Sequence, residues 1–168
     1  KEDKNGLFIK DNVVIGCRNN VVSVTIPSGI TSIADSAFYY NTSLQTITIP
    51  NTVKSIGKAA FAHCTNLLSC TLPNSITEIK ANTFVACIDL TSITIPNTIE
   101  SIGDDAFASC FRLKSITIPK SVTNIGKNAF SYCDSLSTIT ISSKNPIYDS
   151  RDYCNAIIET ATNTLIAG

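Results

Sequence analysis

Phenylalanine recurs every 23 residues along this chain, at Phe38, Phe61, Phe84, Phe107 and Phe130. Proline keeps the same step at Pro27, Pro50, Pro73, Pro96 and Pro119, and so do Leu44, Leu67, Leu90, Leu113 and Leu136. Cys64, Cys87, Cys110 and Cys133 follow it as well. A fixed period of this length is the signature of a solenoid, in which each repeat buries its apolar side only against its neighbours.

One coil reads Leu90-x-x-Ile93-x-Ile95-Pro96-x-x-Ile99-x-x-Ile102-Gly103-x-x-Ala106-Phe107-x-x-Cys110-x-x-Leu113. Ile93-Thr94-Ile95 alternates apolar and polar, which puts Ile93 and Ile95 on the inner face of a short strand. Pro96 cannot donate to a ladder and closes the strand. Ile99 and Ile102 re-enter the core. Gly57, Gly103 and Gly126 mark a tight corner, although Ala34 and Lys80 occupy the same position in other coils. The Ala-Phe pair, the Cys and the next Leu follow at spacings of three, which predicts one or two helical or 3₁₀ turns. The whole pattern predicts an α/β solenoid of about five to six coils, with a parallel sheet on one face and turns and short helices on the other. Stacked coils would align like residues in columns about 4.8 Å apart.

The ends depart from the repeat as caps should. Residues 1–20 hold Leu7-Phe8-Ile9-Lys10, then Asp11-Asn12, then Val13-Val14-Ile15-Gly16, which reads as a hairpin with a two-residue turn. It is expected to cover the first coil, whose strand is Val24-Thr25-Ile26. Residues 21–141 form the repeats. In residues 142–168 the step from Pro119 to Pro146 breaks the register, Asn145 to Asp149 is a turn-rich link, and Ala156–Thr160 with Thr164–Gly168 reads as a second hairpin. The chain is one domain, 1–168.

Bulk composition narrows function mainly by exclusion. Thirteen basic side chains balance thirteen acidic ones, so no global field steers the chain toward nucleic acid or an anionic membrane. No apolar run approaches the roughly 20 residues that span a bilayer, so this segment does not insert into one. Lys1 to Asn5 lacks the apolar core of a signal peptide, and Lys1 is read as the start of a processed or trimmed chain.

The unit Leu-x-x-Ile-x-Ile-Pro-x-x-Val/Ile-x-x-Ile-Gly-x-x-Ala-Phe-x-x-Cys, carried from about Val21 to Ile141, resembles the BspA-like class of leucine-rich repeats. The resemblance implies a right-handed leucine-rich-repeat superhelix. It also implies a cell-surface or secreted protein of a host-associated microbe, with a role in adhesion to host matrix proteins or other cells. The family offers no catalytic residues to carry over. Its commoner relatives place Asn or Cys after the strand, whereas here Pro follows the strand and Cys precedes the Leu. The tail from Asp149 to Glu159 resembles the segment between blocks of repeats in longer members. Leu165-Ile166-Ala167-Gly168 mirrors Val14-Ile15-Gly16-Cys17, so the chain reads as a fragment of a longer protein or as lacking its continuation.

Candidate chemistry is sparse. The cysteine column could be bridged geometrically, but coils already stacked would gain little, and a reduced ladder of small buried hydrophobes is expected. Asn41 takes the cysteine's place in the first full coil, and Cys70 replaces a strand Ile. Cys17 and Cys154 lie in opposite caps, too far apart to pair. A zinc site is not expected, with no Cys-x-x-Cys and a single His. His63 beside Cys64 reads as a variable exposed position, and Asp104-Asp105 as a solvated corner. No phosphate-loop or dinucleotide glycine pattern is present, so neither an enzyme nor a cofactor is expected.

One surface feature stands out. Outward strand positions carry a hydroxyl in every coil: Ser23, Thr46, Ser69, Ser92, Ser115 and Thr138 in one column, Thr25, Thr48, Thr71, Thr94, Thr117 and Thr140 in the next. Strand propensity alone favours Thr, yet it would also admit Val, Lys or Glu, and none appears. The functional reading is an uncharged binding plane for a protein or glycan, built on Thr46, Thr48, Ser69, Thr71, Ser92, Thr94, Ser115, Thr117, Thr138 and Thr140. Gln45, Leu68, Thr91, Lys114 and Ser137 run along its edge. A passive spacer is the alternative, and a Thr-x-Thr array that orders ice is a remote one. The plane lacks Trp, Tyr and Arg, the usual anchors of tight interfaces.

Overall fold

The computed structural model describes residues 2–151 and 155–167. Among the described residues fifteen strands, β1 Leu7–Lys10, β2 Val13–Cys17, β3 Ser23–Thr25, β4 Ser32–Ile33, β5 Thr46–Thr48, β6 Ser55–Ile56, β7 Ser69–Thr71, β8 Glu78–Ile79, β9 Ser101–Ile102, β10 Ser115–Ile118, β11 Asn124–Ile125, β12 Thr138–Ile141, β13 Tyr148–Asp149, β14 Ile157–Glu159 and β15 Thr164–Ala167, wind into a β-solenoid of about six turns. Each coil lends one strand to each of two parallel ladders. In the first, Ser23, Thr46 and Ser69 lie side by side, as do Ser92 and Ser115, and Ser115 and Thr138. In the second, Ile33 pairs with Ile56, and Ile102 with both Ile79 and Ile125.

The side facing away from both ladders contains no helix among the described residues, so the α/β description does not hold. Chained β-turns take its place: Ala37, Tyr39 and Asn41 each donate to the carbonyl three residues back. Two positions per coil are left-handed, the column Ser36, Ala59, Asn82, Asp105, Asn128 and the column Tyr40, His63, Ala86, Ser109, Tyr132, with φ between 52° and 61°. Each left-handed residue interrupts helical propagation and swings the neighbouring N–H groups along the stacking axis. Ser36, Phe38 and Tyr40 therefore donate to Lys58, Ala60 and Ala62 of the next coil, at 2.9, 2.8 and 3.0 Å. A left-handed L-residue costs roughly 1–2 kcal/mol, which these inter-coil bonds offset at about 0.5–1.5 kcal/mol each.

Between ladders and turns runs one core. Phe38, Phe61, Phe84, Phe107 and Phe130 stack face to face, with centroids 5.0, 5.3, 5.3 and 5.5 Å apart. The leucine column from Leu44 to Leu113 is fully buried beside them.

The corner glycines are there for proximity rather than for φ. A Cβ on Gly57 would sit 2.2 Å from the Asp35 nitrogen, and one on Gly103 would sit 2.5 Å from that of Ala81. Lys80 carries the Cβ that such an approach forbids, and the second ladder parts at its coil. β6 ends the group β1-β2-β4-β6, while β8 opens β11-β9-β8. One strand further along the same seam the first ladder parts too, between β7 and the segment at Ser92. The turn side keeps the seam closed, through Ala59 to Ala81, Phe61 to Thr83 and His63 to Val85.

Both ends carry hairpins. β1 and β2 are antiparallel around Asp11 and Asn12, whose φ values of 50° and 61° fit the mirror-image turns that short hairpins favour. This hairpin covers the first coil, as expected, although not through the strand at Val24. β2 instead pairs in parallel with β4, Val14 beside Ile33, and so extends the second ladder. At the other end β13, β14 and β15 form an antiparallel sheet. Tyr148 stands 23 residues after Ile125 and its hydroxyl accepts the Ile125 N–H at 3.0 Å, so the coil register outlasts the break in the proline column.

Candidate functional site

Alternation along the first ladder decides what each strand shows to solvent. β3, β5 and β7 are each exposed, buried, exposed, so their hydroxyl residues point outward while Val24, Ile47 and Cys70 point in. Ser92, Thr94, Ser115, Thr117, Thr138 and Thr140 are exposed in the same manner. The structure therefore brings all the sequence-derived site residues onto one face. At one end of the face Thr46 Oγ1 donates to Ser23 Oγ at 2.8 Å. Gln45, Leu68, Thr91, Lys114 and Ser137 stand exposed along the rim.

The plane is not uniform. Next to the parting, where the single bridge of Ser92 to Ser115 joins two coils, it carries a depression of about 460 Å³, lined by Ser92, Thr94, Asn97, Ser115, Thr117 and Ser142 among others. The 23-residue register runs unbroken through this region, so the sequence carries no signal for the depression.

The cysteine column faces inward on the turn side. Cys64, Cys87, Cys110 and Cys133 donate their thiols to the carbonyls of Phe38, Phe61, Phe84 and Phe107 at 3.0 to 3.2 Å. Burial pushes the Cys64 thiol up to about 12 and Cys133 to about 11, and raises Cys87 well above its ordinary value. Thiols held protonated in this way are poor nucleophiles and poor metal ligands. Cys154 lies outside the described residues.

His63 is not the simple exposed position that the sequence suggests. It is half-buried, stacked on Tyr40 with ring centroids 4.6 Å apart and edge-on to Tyr39 at 5.6 Å. This aromatic cluster lies on the turn side, away from the hydroxyl plane. Its signal was the one-coil spacing of Tyr40 and His63, which sequence reasoning read as variability. Asp104 does not form an acid pair with Asp105: its Oδ1 accepts the Lys127 N–H at 2.8 Å, as Asp35 accepts that of Lys58 at 2.7 Å. Among the described residues no three His, Cys, Asp or Glu side chains gather as a metal site. None of their helices is long and apolar enough to cross a membrane.

The BspA type leucine rich repeat region matches this chain in six copies, over residues 7–137 and 77–162. No curated protein matches it. Among solved structures, a T. pallidum leucine rich repeat protein is 30% identical with a TM-score of 0.76, over 83% of this chain and 71% of its own. A leucine-rich repeat protein from Bacteroides ovatus is 37% identical with a TM-score of 0.73, over 79% of this chain and 38% of its own. A leucine rich cell surface protein from Faecalibacterium prausnitzii is 33% identical with a TM-score of 0.66, over 87% of this chain and 45% of its own. The chain thus spans less than half of each of the latter two proteins. Repeat unit, stacked solenoid and relatives agree, and the chain belongs to the BspA type leucine rich repeat family.

Proposed function

We propose that this chain is a non-enzymatic interaction module of a surface or secreted protein, and that it holds a protein or glycan against its hydroxyl plane. One observation carries the reading: every outward position in the two strand columns exposes Ser or Thr, with no charged or apolar exception. The depression at Ser92, Thr94, Ser115 and Thr117 adds a concave foothold on that plane. Weak polar contacts repeated coil after coil gain strength through multivalency. A surface location is supported by the similar protein of Faecalibacterium prausnitzii, itself a leucine rich cell surface protein. An ice-ordering array needs a continuous lattice, and the ladder parts in the middle of this one.

The test replaces Thr71, Thr94 and Thr117 with Lys and applies the chain to purified host matrix proteins and a glycan array. Three exposed like charges across adjacent strands should cost stability only modestly, about 1 kcal/mol per neighbouring pair. Binding should be almost abolished, because each Lys blocks a central contact. The charge-matched control places Lys at Thr42, Asn66 and Ser135, away from the plane, and should bind as the parent does. Equal binding by both variants assigns recognition to another surface. A parent chain that binds nothing on either panel supports the spacer role.

A further inference from the structure

The two terminal hairpins are copies of one device, although one closes a stack and the other begins one. Before β1 stands Gly6 in the left-handed region, φ 78°, and before β14 stands Asn155, φ 53°. The next residue is buried in both, Leu7 and Ala156. The register shifts at the same step of both pairings, between Phe8 and Ile9 and between Ile157 and Ile158. Ile9 then faces Val14, and Ile158 faces Leu165. A left-handed Asn immediately precedes the second strand in each, Asn12 at 61° and Asn163 at 57°.

What differs is the second strand's free side. Val14 is 0% exposed because coil one lies against it, with Ile33 beside it, Thr31 donating to Asn12 O and Ala34 donating to Val14 O at 2.8 Å. Its counterpart Leu165 is 64% exposed. Leu165, Ile166 and Ala167 also border a cleft of about 550 Å³ over the last coil. An edge strand with a bare leucine at its centre is a ready template for pairing with another chain segment.

We propose that β15 is a docking edge for a further leucine-rich coil joined to it in the same chain, as coil one is joined to β2. The incoming segment is of the Thr31-Ser32-Ile33-Ala34 kind. Its first and last N–H groups reach Asn163 O and Leu165 O, and its isoleucine covers Leu165. The hairpin thereby ends one stack through β13 and β14 and seeds the next through β15. The template at the other end of this molecule already holds such a coil, which singles out this occupant.

The test extends the full chain: residues 1–167 followed directly by residues 17–151, so that β15 must serve the second stack as β2 serves the first. Amide exchange at Leu165 should slow at least about 100-fold relative to the unextended chain, as expected when an edge becomes an internal ladder position. Leu165→Lys should leave the unextended chain's melting temperature unchanged and uncouple the second stack in the extended one. A parallel extension with residues 6–151, which brings its own hairpin, shows whether the second stack folds when capped independently. If that version folds while the direct extension leaves Leu165 unprotected, the proposal fails. It fails equally if Leu165→Lys leaves the extended chain's unfolding unchanged. Concentration-dependent dimers of the unextended chain, abolished by Leu165→Lys, would assign the edge to a second molecule and overturn the same-chain occupant.

Discussion

An inward side chain in one coil lands on its own kind in the next, so its worth is set by the column. Phe84 is fully buried between Phe61 and Phe107, with ring planes within 9° of both. Phe84→Ala should therefore cost about 3–5 kcal/mol by chemical denaturation, the range for truncating a buried aromatic. Lys114→Ala, at an exposed rim position, should cost a few tenths at most. Similar losses would mean that the column does not carry the core. The cysteine column adds a pH dependence. Folding keeps on the Cys87 thiol a proton that the unfolded thiol releases near its ordinary 9.0. That contribution is intact below about pH 9 and is lost as pH rises, at about 1.4 kcal/mol per pH unit for each such thiol. Unfolding free energy should thus fall more steeply above pH 9 in the parent than in Cys87→Ala; parallel slopes would contradict it. Both columns were legible from spacing alone. That each thiol donates one coil back was not, because its acceptor is a backbone carbonyl 26 residues away, which no side-chain pattern marks.

Between residue and molecule stand the corner and the turn, and there the sequence was least transparent. Spacings of three suggested helical turns, and the left-handed columns that forbid them hold Ser, Ala, Asn, Asp, Tyr and His, with no Gly to announce them. Only the bonds to the next coil explain the conformation, and these are long-range. The corner glycines were legible as glycines, but their cause, a neighbouring backbone, was not. Gly103→Ala forces a Cβ to within 2.5 Å of Ala81 N, and overpacking of this kind costs about 1–3 kcal/mol. Gly29→Ala meets nothing within 4 Å and should be near neutral. Lys80→Gly is the converse: it removes the obstructing Cβ, so the amides of Glu78 to Lys80 should exchange more slowly as the seam closes. Little stability is gained, since the flexibility of Gly, roughly 0.5–1 kcal/mol, cancels a new hydrogen bond. Unchanged exchange at these amides would show that something other than the Lys80 Cβ parts the ladder.

At the scale of the whole molecule, two hydrogen-bonded stacks meet at a seam where both ladders part and the turn side holds the coils together. The hydroxyl face of the candidate site was legible because period-two alternation fixes which strand positions face out. Its depression was not, because it arises from strand pairing and leaves the repeat length untouched. The rival surface, Tyr39 and Tyr40 with His63, emerged only when stacking set them one above another. Threonine-methyl NMR separates these two surfaces. Titrated with any matrix protein or glycan that binds, the methyl signals of Thr71, Thr94 and Thr117 should shift first and most, with Thr48 and Thr140 following as the contact spreads along the plane. Shifts confined to the rings of Tyr39, Tyr40 and His63, with the threonine methyls unmoved at saturation, would contradict the account.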